Sequence, residues 1–379
     1  MSAPLLAPVE IERPPLLRFG PGLAAGVGAY ARARGCTRPF VVSDAFNAGR
    51  VEVLDLPGDT AVFGAVRPEP DIPNLEALLA VAEETGADLV VGFGGGSAMD
   101  LAKLAAVLPG SGQSIHDVVG PEKVRGRRVA LVQVPTTSGT GSEAGTRALV
   151  TDPATRNKLA VQSRHMLADL AVVDPDLTLT VPPAITAATG VDALAHCAEA
   201  YTSRKAHPLI DLYALEGIRL VGRFLARAVR DGADREARAG LALASLYGGF
   251  CLGPVNTTAG HAVAYPLGTR HHIPHGLACA LIFPHTLAFN APAAPDKTAR
   301  ILEALAPPGG EVPPNGDVRA AAHGFCTALG IEMRLSRHGV PEADLPEMAA
   351  EAHAIRRLLD NNPRDLGRDA ILAFYRDAF

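Results

Sequence analysis

The sequence predicts an α/β domain with a mostly parallel sheet, followed by an all-helical domain. In the first half of the chain, short β-branched runs alternate with amphipathic segments, which is the pattern of parallel strands joined by crossover helices. From Ala184 onward, Ala/Leu-rich helical periods dominate and β-branched runs almost vanish. A chain of 379 residues also exceeds the size at which one hydrophobic core keeps growing. We therefore expect two domains, over residues 1–182 and 183–379.

The elements follow from the same patterns. Four buried strands are predicted in the first half, over Pro39–Ser43, Thr60–Val66, Asp88–Phe93 and Val129–Val134. Crossover helices are predicted at Leu75–Glu84 and Ala98–Leu108, and further extended pieces at Arg147–Thr151, Lys158–Val161 and Leu170–Val173. Helices are predicted in the second half over Ala184–Tyr201, Pro208–Arg230, Arg235–Leu252, Gly276–Phe289, Leu345–Arg356 and Asn361–Phe379. The Pro/Gly-rich stretch Ala306–Asn315 is predicted to be a surface loop.

Composition excludes several classes of protein. Charged residues make up 20% of the chain and the formal net charge is −5, whereas a disordered chain, a coiled coil or a basic nucleic-acid-binding protein needs more charge or a cationic surplus. The five cysteines are widely spread and form no CxxC pair, so neither a disulfide scaffold nor a zinc ribbon is indicated. The N-terminal residues lack the basic and apolar segments of an export signal. We expect a cytoplasmic location and no nucleic-acid partner.

One stretch, Ala239–Gly268, contains no Asp, Glu, Lys or Arg and resembles a membrane span in composition. Its several glycines, with Pro254 and Asn256, would leave broken backbone in lipid. The stretch is therefore predicted to be a helix buried at the centre of the protein, and no membrane partner is expected.

A glycine loop follows the predicted strand Asp88–Phe93. Gly94, Gly95, Gly96 and Ser97 lead directly into a helical run, so backbone N–H groups and the positive end of the helix dipole could bind a pyrophosphate. The spacing is not GxGxxG, and no acidic residue ends a following strand about 20 residues later, so the standard dinucleotide fingerprint is absent. A tight turn with Ser97 as helix N-cap is the alternative explanation.

A hydroxyl-rich loop, Pro135–Glu143, follows the predicted strand Val129–Val134. Its five hydroxyls and two glycines lie on the carboxyl side of a parallel strand, where open α/β sheets bind ligands such as a nicotinamide ribose or a phosphate. An ordinary Ser/Thr turn is the alternative. Asp44 ends another strand, where its carboxylate could accept from ribose hydroxyls and repel a 2′-phosphate, which favours NAD over NADP. An exposed turn aspartate would have the same sequence.

Histidines are concentrated in a way that indicates a metal site. Asp192 and His196 are four residues apart in a helical stretch, so both side chains lie on one face. With His261 and His275 they would form a set of one carboxylate and three imidazoles, which suits Fe(II) or Zn(II) better than Mg(II) or Ca(II). The alternative is that these are core or helix-capping residues, with Asp192 capping a following helix.

Four motifs in this order resemble the iron-containing, group III alcohol dehydrogenases: GGGSAMDLAK (Gly94–Lys103), PTTSGTGSEA (Pro135–Ala144), GVDALAHCAEAY (Gly190–Tyr201) and GHAVAYPLGTRHHIPHG (Gly260–Gly276). The likeness covers nearly the whole chain. It implies a dehydroquinate-synthase-like fold, with a Rossmann-like nucleotide-binding domain over 1–182 and a helical metal and substrate domain over 183–379. The resemblance implies that the metal lies in the cleft between them.

The resemblance also assigns residues. In the family's pattern the metal ligands fall on Asp192, His196, His261 and His275. The nucleotide contacts fall on Asp44, Gly95, Gly96, Ser97, Thr136, Thr140 and Lys158, and Gly94, Asp100, Thr137 and Ser142 from the same loops complete the candidate cofactor-binding set. Many members carry a histidine four residues after the third ligand, but here that position is Tyr265. A phenol is a poor general base at neutral pH, so the proton relay is predicted to use Tyr265, His271, His272 or water on the metal.

The implied function is hydride transfer between NAD(P)(H) and a small alcohol or aldehyde, with the metal acting as a Lewis acid at the substrate oxygen. Three alternatives remain open from the sequence. A maleylacetate-type keto-acid reductase would share the motifs, with Arg270 lining an acidic substrate site. A dehydroquinate-synthase-like lyase would use NAD only transiently, and a metal- or nucleotide-binding regulatory protein would not turn over. A homodimer is expected, because the helical domain is large and apolar.

Overall fold

The computed structural model describes residues 5–306 and 317–379, so most of the predicted loop Ala306–Asn315 lies outside the described residues. The chain divides into two compact units. The first, which we call the α/β unit, contains residues 12–137 and 141–179. The second, the helical unit, contains among the described residues 5–11, 138–140, 180–306 and 317–379.

A six-stranded parallel sheet forms the centre of the α/β unit, with strand order β1-β9-β6-β4-β2-β3. Its strands are β1 (Leu16–Phe19), β2 (Pro39–Val42), β3 (Ala61–Phe63), β4 (Leu89–Gly94), β6 (Ala130–Pro135) and β9 (Leu170–Val173). Every residue of β2, β4 and β9 is buried, which explains why these strands are continuous apolar runs without alternation. The predicted parallel sheet is confirmed.

A smaller sheet and five α-helices complete this unit. The second sheet has the order β5-β8-β7 and consists of β5 (Gly120–Pro121), β7 (Arg147–Asp152) and β8 (Asn157–Gln162). The helices are α1 (Gly26–Ala33), α2 (Ala45–Ala48), α3 (Ile72–Thr85), α4 (Gly96–Val107) and α5 (Ile115–Val118). Because β2, β4 and β6 are neighbours, the residues that follow their carboxyl ends share one edge of the sheet.

The helical unit is built around α6 (Pro183–Thr202), of which 15 of 20 residues are buried. The other helices are α7 (Pro208–Arg230), α8 (Arg235–Leu252), α9 (Ala259–His271), α10 (His275–Asn290), α11 (Pro295–Leu305), α12 (Val318–Ala328), α13 (Leu345–Ala354), α14 (Arg356–Leu359) and α15 (Arg368–Asp377). Helix α6 packs against α7, α8 and α10. The contact with α7 requires Gly190, because a Cβ there would lie 2.3 Å from Leu225 Cδ1. The predicted helical second half is confirmed.

Several predicted boundaries were wrong, for local reasons. The charge-free stretch Ala239–Gly268 is not one helix but the end of α8 and most of α9, separated by a turn after Leu252. The helix predicted over Asn361–Phe379 begins only at Arg368, after an Asn-Asn-Pro segment. Helix α9 was not predicted as a separate element, because its residues up to Gly268 fell within this charge-free stretch.

Helix α10, extended to Ala293, is long and apolar enough to cross a membrane by length and composition alone. Buried core helices meet the same criterion, so this is weak evidence for a membrane span. In the structure 61% of an apolar stretch of 18 residues in this helix is buried, and α10 packs against α6, α9 and α12. We therefore describe α10 as a core helix of the helical unit.

Candidate active site

The structure brings together the four residues predicted to hold a metal, all within the helical unit. Asp192 and His196 lie one turn apart on α6, His261 lies in the first turn of α9, and His275 begins α10. From Asp192 Oδ1 the distances are 3.9 Å to His196 Nε2, 3.5 Å to His261 Nε2 and 3.6 Å to His275 Nε2. The His196 and His261 rings stack with centroids 4.5 Å apart. One carboxylate and three imidazole nitrogens therefore converge.

Two atoms at this convergence have no partner of their own. Asp192 and His261 are 1% and 2% exposed, yet Asp192 Oδ1 and His261 Nε2 form no hydrogen bond within the described residues. Burying a carboxylate oxygen without a hydrogen bond is costly, so native structures normally satisfy it. A divalent cation would satisfy both atoms, and the imidazole and carboxylate donors suit iron or zinc. The residues present therefore fit a metal.

Neighbouring groups orient two of the imidazoles. His261 Nδ1 lies 2.7 Å from Glu199 Oε1, and His196 Nδ1 lies 3.3 Å from the Gly139 carbonyl oxygen. An imidazole that donates through Nδ1–H leaves the Nε2 lone pair available, which is the arrangement that metal sites use. Sequence reasoning missed Glu199, although it lies seven residues after Asp192 on the same face of α6.

Gly260 provides the space for Glu199. A Cβ at Gly260 would lie 2.4 Å from Glu199 Oε1, closer than such contacts occur. The same carboxylate accepts from the backbone N–H of Thr258 at 2.6 Å and from its hydroxyl at 3.0 Å. The start of α9 is therefore shaped around this carboxylate.

The electrostatics of the cluster keep Asp192 ionised. Burial raises the pKa of this carboxyl, but His196, His275 and His261 outweigh burial and hold the pKa well below its usual range. Burial lowers the pKa of His196 to about 4, so its imidazole is neutral at pH 7 as a ligand must be. Burial also acts to lower the pKa of His261, but its interactions with Cys279, Glu199 and Asp192 outweigh burial and leave the pKa well above the usual value.

Cys279 also lies at this cluster. The ligand atoms of Asp192, His261, His275 and Cys279 are all within 4.8 Å of one another. Over residues 5–306 and 317–379, this is the one group of three or more metal-ligating side chains with such spacing. Sequence reasoning considered the cysteines only as pairs, although Cys279 follows His275 by four residues and so shares its helix face.

The three residues predicted for proton transfer lie in different surroundings. Tyr265 is buried, with its ring centroid 6.0 Å from that of His275 and its hydroxyl 3.5 Å from Arg357 Nη2. His271 Nε2 lies 3.4 Å from Asp344 Oδ2. His272 is exposed at the end of α9, with a φ of 55°. Of the three, only Tyr265 has a ring contact with the cluster among the described residues.

Arg270, a candidate for lining an acidic substrate site, has its charge balanced by two glutamates. Its guanidinium forms ion pairs with Glu347 and Glu351 on α13, and its side chain is 8% exposed. The hydrogen bond that the guanidinium donates to Glu347, together with the nearby carboxylates, raises the pKa of Arg270 against the effect of burial. Arg270 therefore connects α9 to α13.

The predicted glycine loop lies between β4 and α4 in the α/β unit. Gly94 has a φ of 158°, and a Cβ there would lie 2.8 Å from the Cβ of Ala98 and 3.2 Å from Asp44 Oδ2. Gly95 is the N-cap of α4 and supplies no side-chain cap. The alternative in which Ser97 is the N-cap is wrong, because the helix already begins at Gly96. The first N–H groups of an α-helix have no partner within the helix, and in α4 they adjoin this glycine turn.

Asp44 and Thr136 approach the glycine turn from the neighbouring strands. The Thr136 N–H donates to the Gly94 carbonyl at 2.9 Å. Asn47, which sequence reasoning missed, connects them, because its Nδ2 donates to Asp44 Oδ2 at 2.6 Å and to Thr136 Oγ1 at 3.2 Å. Asp44 Oδ1 accepts from the Asn47 N–H at 3.0 Å and so caps α2. A Cβ at Gly95 would lie 3.3 Å from Thr137 Oγ1, so Thr137 also lines this turn.

Three other predicted cofactor residues are bound to protein groups. The Ser142 hydroxyl donates to Asp100 Oδ1 at 2.6 Å, and Asp100 Oδ2 accepts from the Leu149 N–H at 2.9 Å. Lys158 on β8 forms an ion pair with Glu69. None of these three bonds is to a residue of the glycine turn. Thr140 belongs to the helical unit, unlike the rest of the predicted cofactor set.

Comparison with known proteins matches the chain in two parts. Residues 14–175 match the family described as iron-containing alcohol dehydrogenase, and residues 186–379 match the C-terminal part of the Fe-containing alcohol dehydrogenase family. The long-chain-alcohol dehydrogenase 1 of Geobacillus thermodenitrificans is 35% identical over 98% of this chain and 96% of its own.

Two solved structures have the same fold. A crystal structure of a 1,3-propanediol oxidoreductase has a TM-score of 0.92 and 32% identity, over 98% of this chain and 100% of its own. The sulfoacetaldehyde reductase of Bifidobacterium kashiwanohense, crystallised with NAD+, has a TM-score of 0.86 and 29% identity, over 98% of this chain and 99% of its own.

Proposed function

The chain belongs to the iron-containing alcohol dehydrogenase family and is an NAD-dependent, metal-containing oxidoreductase of alcohols and aldehydes, and we propose that its substrates are small primary alcohols and their aldehydes. The observation that carries this proposal is the buried Asp192 carboxylate facing three imidazoles. The relatives are alcohol and diol dehydrogenases and an aldehyde reductase, which favours this function over the keto-acid reductase and lyase alternatives. The ion-paired state of Arg270 also argues against a role in binding a keto acid.

We propose that Asp192, His196, His261 and His275 hold the metal, which is Fe(II) or Zn(II). When bound, the ion supplies Lewis-acid chemistry at the substrate oxygen. The protein contributes the orientation of its ligands, because Glu199 and the Gly139 carbonyl fix the Nδ1 side of two imidazoles. Burial of Asp192, His196 and His261 keeps water from their side of the cluster, which strengthens the charge interactions there.

We propose Tyr265 as the group that passes a proton between the substrate hydroxyl and solvent. The ring contact with His275 supports this role, and so does Arg357, whose guanidinium lies where it can stabilise charge on the phenol oxygen. His271 and His272 stay predictions for the relay, because His271 is paired with Asp344 and His272 faces solvent.

For the cofactor we propose NAD rather than NADP. Gly94, Gly95, Gly96 and Ser97 at the start of α4 would hold the pyrophosphate, and the Asp44 carboxylate beside them would accept from ribose hydroxyls and repel a 2′-phosphate. Thr136, Thr137 and Thr140 are proposed as further contacts from the hydroxyl loop. Contacts from Asp100, Ser142 and Lys158 stay predictions, because the bonds described above join them to one another, to Leu149 and to Glu69, whereas Asn47 holds Asp44 and Thr136 beside the glycine turn.

We also propose which part of the chain binds each ligand, where the protein is located and how it assembles. Residues 1–182 would bind the nucleotide and residues 183–379 the metal and substrate, in the cytoplasm. A reducing compartment is supported by the cysteines, since all five are free and buried.

A homodimer is supported by β1, which forms an edge of the six-stranded sheet and leaves Leu16 and Phe19 38% and 37% exposed. The test is sedimentation of the wild type and of Phe19→Lys. We expect a dimer that the lysine weakens, and a wild-type monomer would contradict the proposal.

The activity is tested with a panel of primary alcohols and aldehydes on protein reconstituted separately with Fe(II) and Zn(II), with each nicotinamide cofactor. We expect metal-dependent reduction of NAD by primary alcohols and slower reaction with NADP. A chelator should abolish turnover and the metal should restore it. Nucleotide binding without turnover on any substrate would contradict the proposal and favour a regulatory protein.

A further inference from the structure

Cys279 lies one turn after His275 on α10, with its Sγ 3.8 Å from His275 Nε2. It is 2% exposed. A buried thiol by itself has the role of a small apolar side chain. Here, however, it shares its surroundings with Asp192 Oδ1 and His261 Nε2, two buried atoms without a hydrogen bond in the part of the chain that the structure describes. These atoms and the thiol therefore face one point.

Three distances within this group are close to the separation of neighbouring ligand atoms at a zinc ion. Zinc binds nitrogen and oxygen at about 2.0–2.1 Å and sulfur at about 2.3 Å, so neighbouring ligand atoms in a tetrahedral site lie roughly 3.3–3.6 Å apart. The corresponding distances are 3.5 Å from Asp192 Oδ1 to His261 Nε2 and 3.6 Å from Asp192 Oδ1 to His275 Nε2. The distance from His275 Nε2 to Cys279 Sγ is 3.8 Å. All four ligand atoms lie within 4.8 Å of one another, so side-chain shifts of up to about 1 Å would bring them within reach of one ion.

We propose that Cys279 is itself a ligand of the metal site, through its thiolate, and that it makes this site prefer Zn(II) to Fe(II). The proposal rests on the metal site of the proposed function and adds a fifth candidate ligand to it. Thiolates are soft donors that select zinc, whereas a site of three imidazoles and a carboxylate suits either metal. On binding, the Cys279 S–H bond loses its proton to solvent and the sulfur lone pair forms the bond to the ion, with no change of oxidation state.

The test is the absorption spectrum of the cobalt-substituted protein. A thiolate bound to Co(II) gives an intense sulfur-to-cobalt charge-transfer band in the near ultraviolet, and oxygen and nitrogen ligands do not. We expect the band in the wild type and its loss in Cys279→Ala and Cys279→Ser. The matched control is Cys326→Ala, because Cys326 is also buried but its Sγ lies against the Ala280 carbonyl and it is not in the group of possible metal ligands in the described residues. Cys326→Ala should keep the band.

A second measurement reads metal preference. Apoprotein is equilibrated anaerobically with equal concentrations of Zn(II) and Fe(II), and the bound metals are determined by elemental analysis. We expect the bound Zn:Fe ratio to fall at least about tenfold in Cys279→Ala, the size of effect that a ligand-shell change produces. An unchanged ratio would overturn the metal-preference part of the proposal.

The outcomes separate this proposal from the proposed function. If the wild type binds one cobalt per chain with visible ligand-field bands but no charge-transfer band, the metal site stands and Cys279 is not a ligand. If the wild type binds no cobalt, iron or zinc at all, both proposals fail. Because the wild-type spectrum alone distinguishes these cases, the proposal is tested even if the Cys279 variants do not fold.

Discussion

Each unit of the molecule buries a cluster of charged side chains, and different interactions offset the free-energy cost of burying charge in the two clusters. In the α/β unit, Lys103 is 1% exposed, and its ammonium donates to the Ser142 hydroxyl and the Arg147 carbonyl at 2.6 and 2.7 Å. Beside it, burial raises the pKa of Glu143 to about 7, so this carboxyl is partly protonated at neutral pH. In the helical unit, Asp192 is as deeply buried but remains ionised.

The difference lies in what surrounds each carboxyl group. Burial alone raises a carboxyl pKa until the group takes up a proton, as at Glu143. Asp192 keeps its charge because three imidazoles face it, and one of its oxygens has no hydrogen bond in the described residues. A buried carboxylate that stays charged, with His261 Nε2 beside it also lacking a hydrogen bond in the described residues, indicates a cation site. A buried lysine that donates its hydrogen bonds to protein groups, as Lys103 does, indicates a structural role.

The largest effect is expected from Asp192→Asn, which removes the charge at the centre of the cluster. Bound metal should fall from about one ion per chain to near none, with turnover reduced by more than about 100-fold, because a ligand loss exceeds the effect of losing an outer-shell partner. Elemental analysis measures the metal. Glu143→Gln, in the other cluster, is the control and should retain metal. Full metal occupancy in Asp192→Asn would contradict the comparison.

The next effect concerns the pH dependence of stability through Glu143. Its pKa is about 7 in the folded protein and 4.5 in the unfolded chain, so its contribution is present below pH 4.5 and is lost as pH rises through about 7. Glutamine does not titrate. The free energy of unfolding of the wild type minus that of Glu143→Gln should therefore fall by about 3 kcal/mol over this range.

This difference is measured by urea unfolding of both proteins in the same metal-containing buffer at several values between about pH 5 and about pH 8. The histidines then contribute equally to both proteins and cancel in the difference. A difference that does not change with pH would show that Glu143 is ionised throughout.

Glu199→Gln should weaken metal binding by about 10–100-fold without abolishing it, because the amide no longer holds the His261 imidazole through a charged acceptor. The affinity is measured by competition with a chromophoric chelator. Glu236→Gln, at an exposed glutamate on α8, should bind metal as the wild type does. Equal metal affinities for both variants would show that Glu199 does not support metal binding.

The smallest effect is expected at Gly260, where a methyl group would displace the Glu199 carboxylate. Gly260→Ala should destabilise the protein by about 1–2 kcal/mol, within the usual range for overpacking, because the flexible carboxylate end can move aside. Gly253→Ala is the matched control, since a Cβ there meets nothing within 4 Å and its φ is −59°. Thermal unfolding compares them. Equal stability of the two variants would show that the contact at Gly260 carries no cost.

Local patterns account for what the sequence could predict about the site. Asp192 and His196 are four residues apart in a helix, so their shared face follows from the helical repeat. The glycine turn follows a strand and precedes a helix, which is also a local pattern. Glu199 and Cys279 were within reach of the same argument, one on the Asp192 face of α6 and one a turn after His275, but neither residue type by itself indicated a role.

Other features depend on segments that are far apart in the chain. His196 Nδ1 lies against the carbonyl of Gly139, 57 residues earlier, and no periodicity relates the two. Arg270 was a candidate for binding an acidic substrate until the structure paired it with two glutamates of α13, some 80 residues later. The partners of a charge thus determined its role more than its residue type did.

The sequence by itself determined the α/β and helical halves, the glycine turn and the residue types that can bind a metal, because hydrophobic period and spacing act over a few residues. The tertiary structure decided which charged groups form ion pairs, such as Arg270, and which buried atoms lack a hydrogen bond in the described residues, such as Asp192 Oδ1. It also decided that Cys279 lies near Asp192. Burial and Coulomb interactions depend on distances in space, and packing of α6, α9 and α10 sets those distances in the metal cluster.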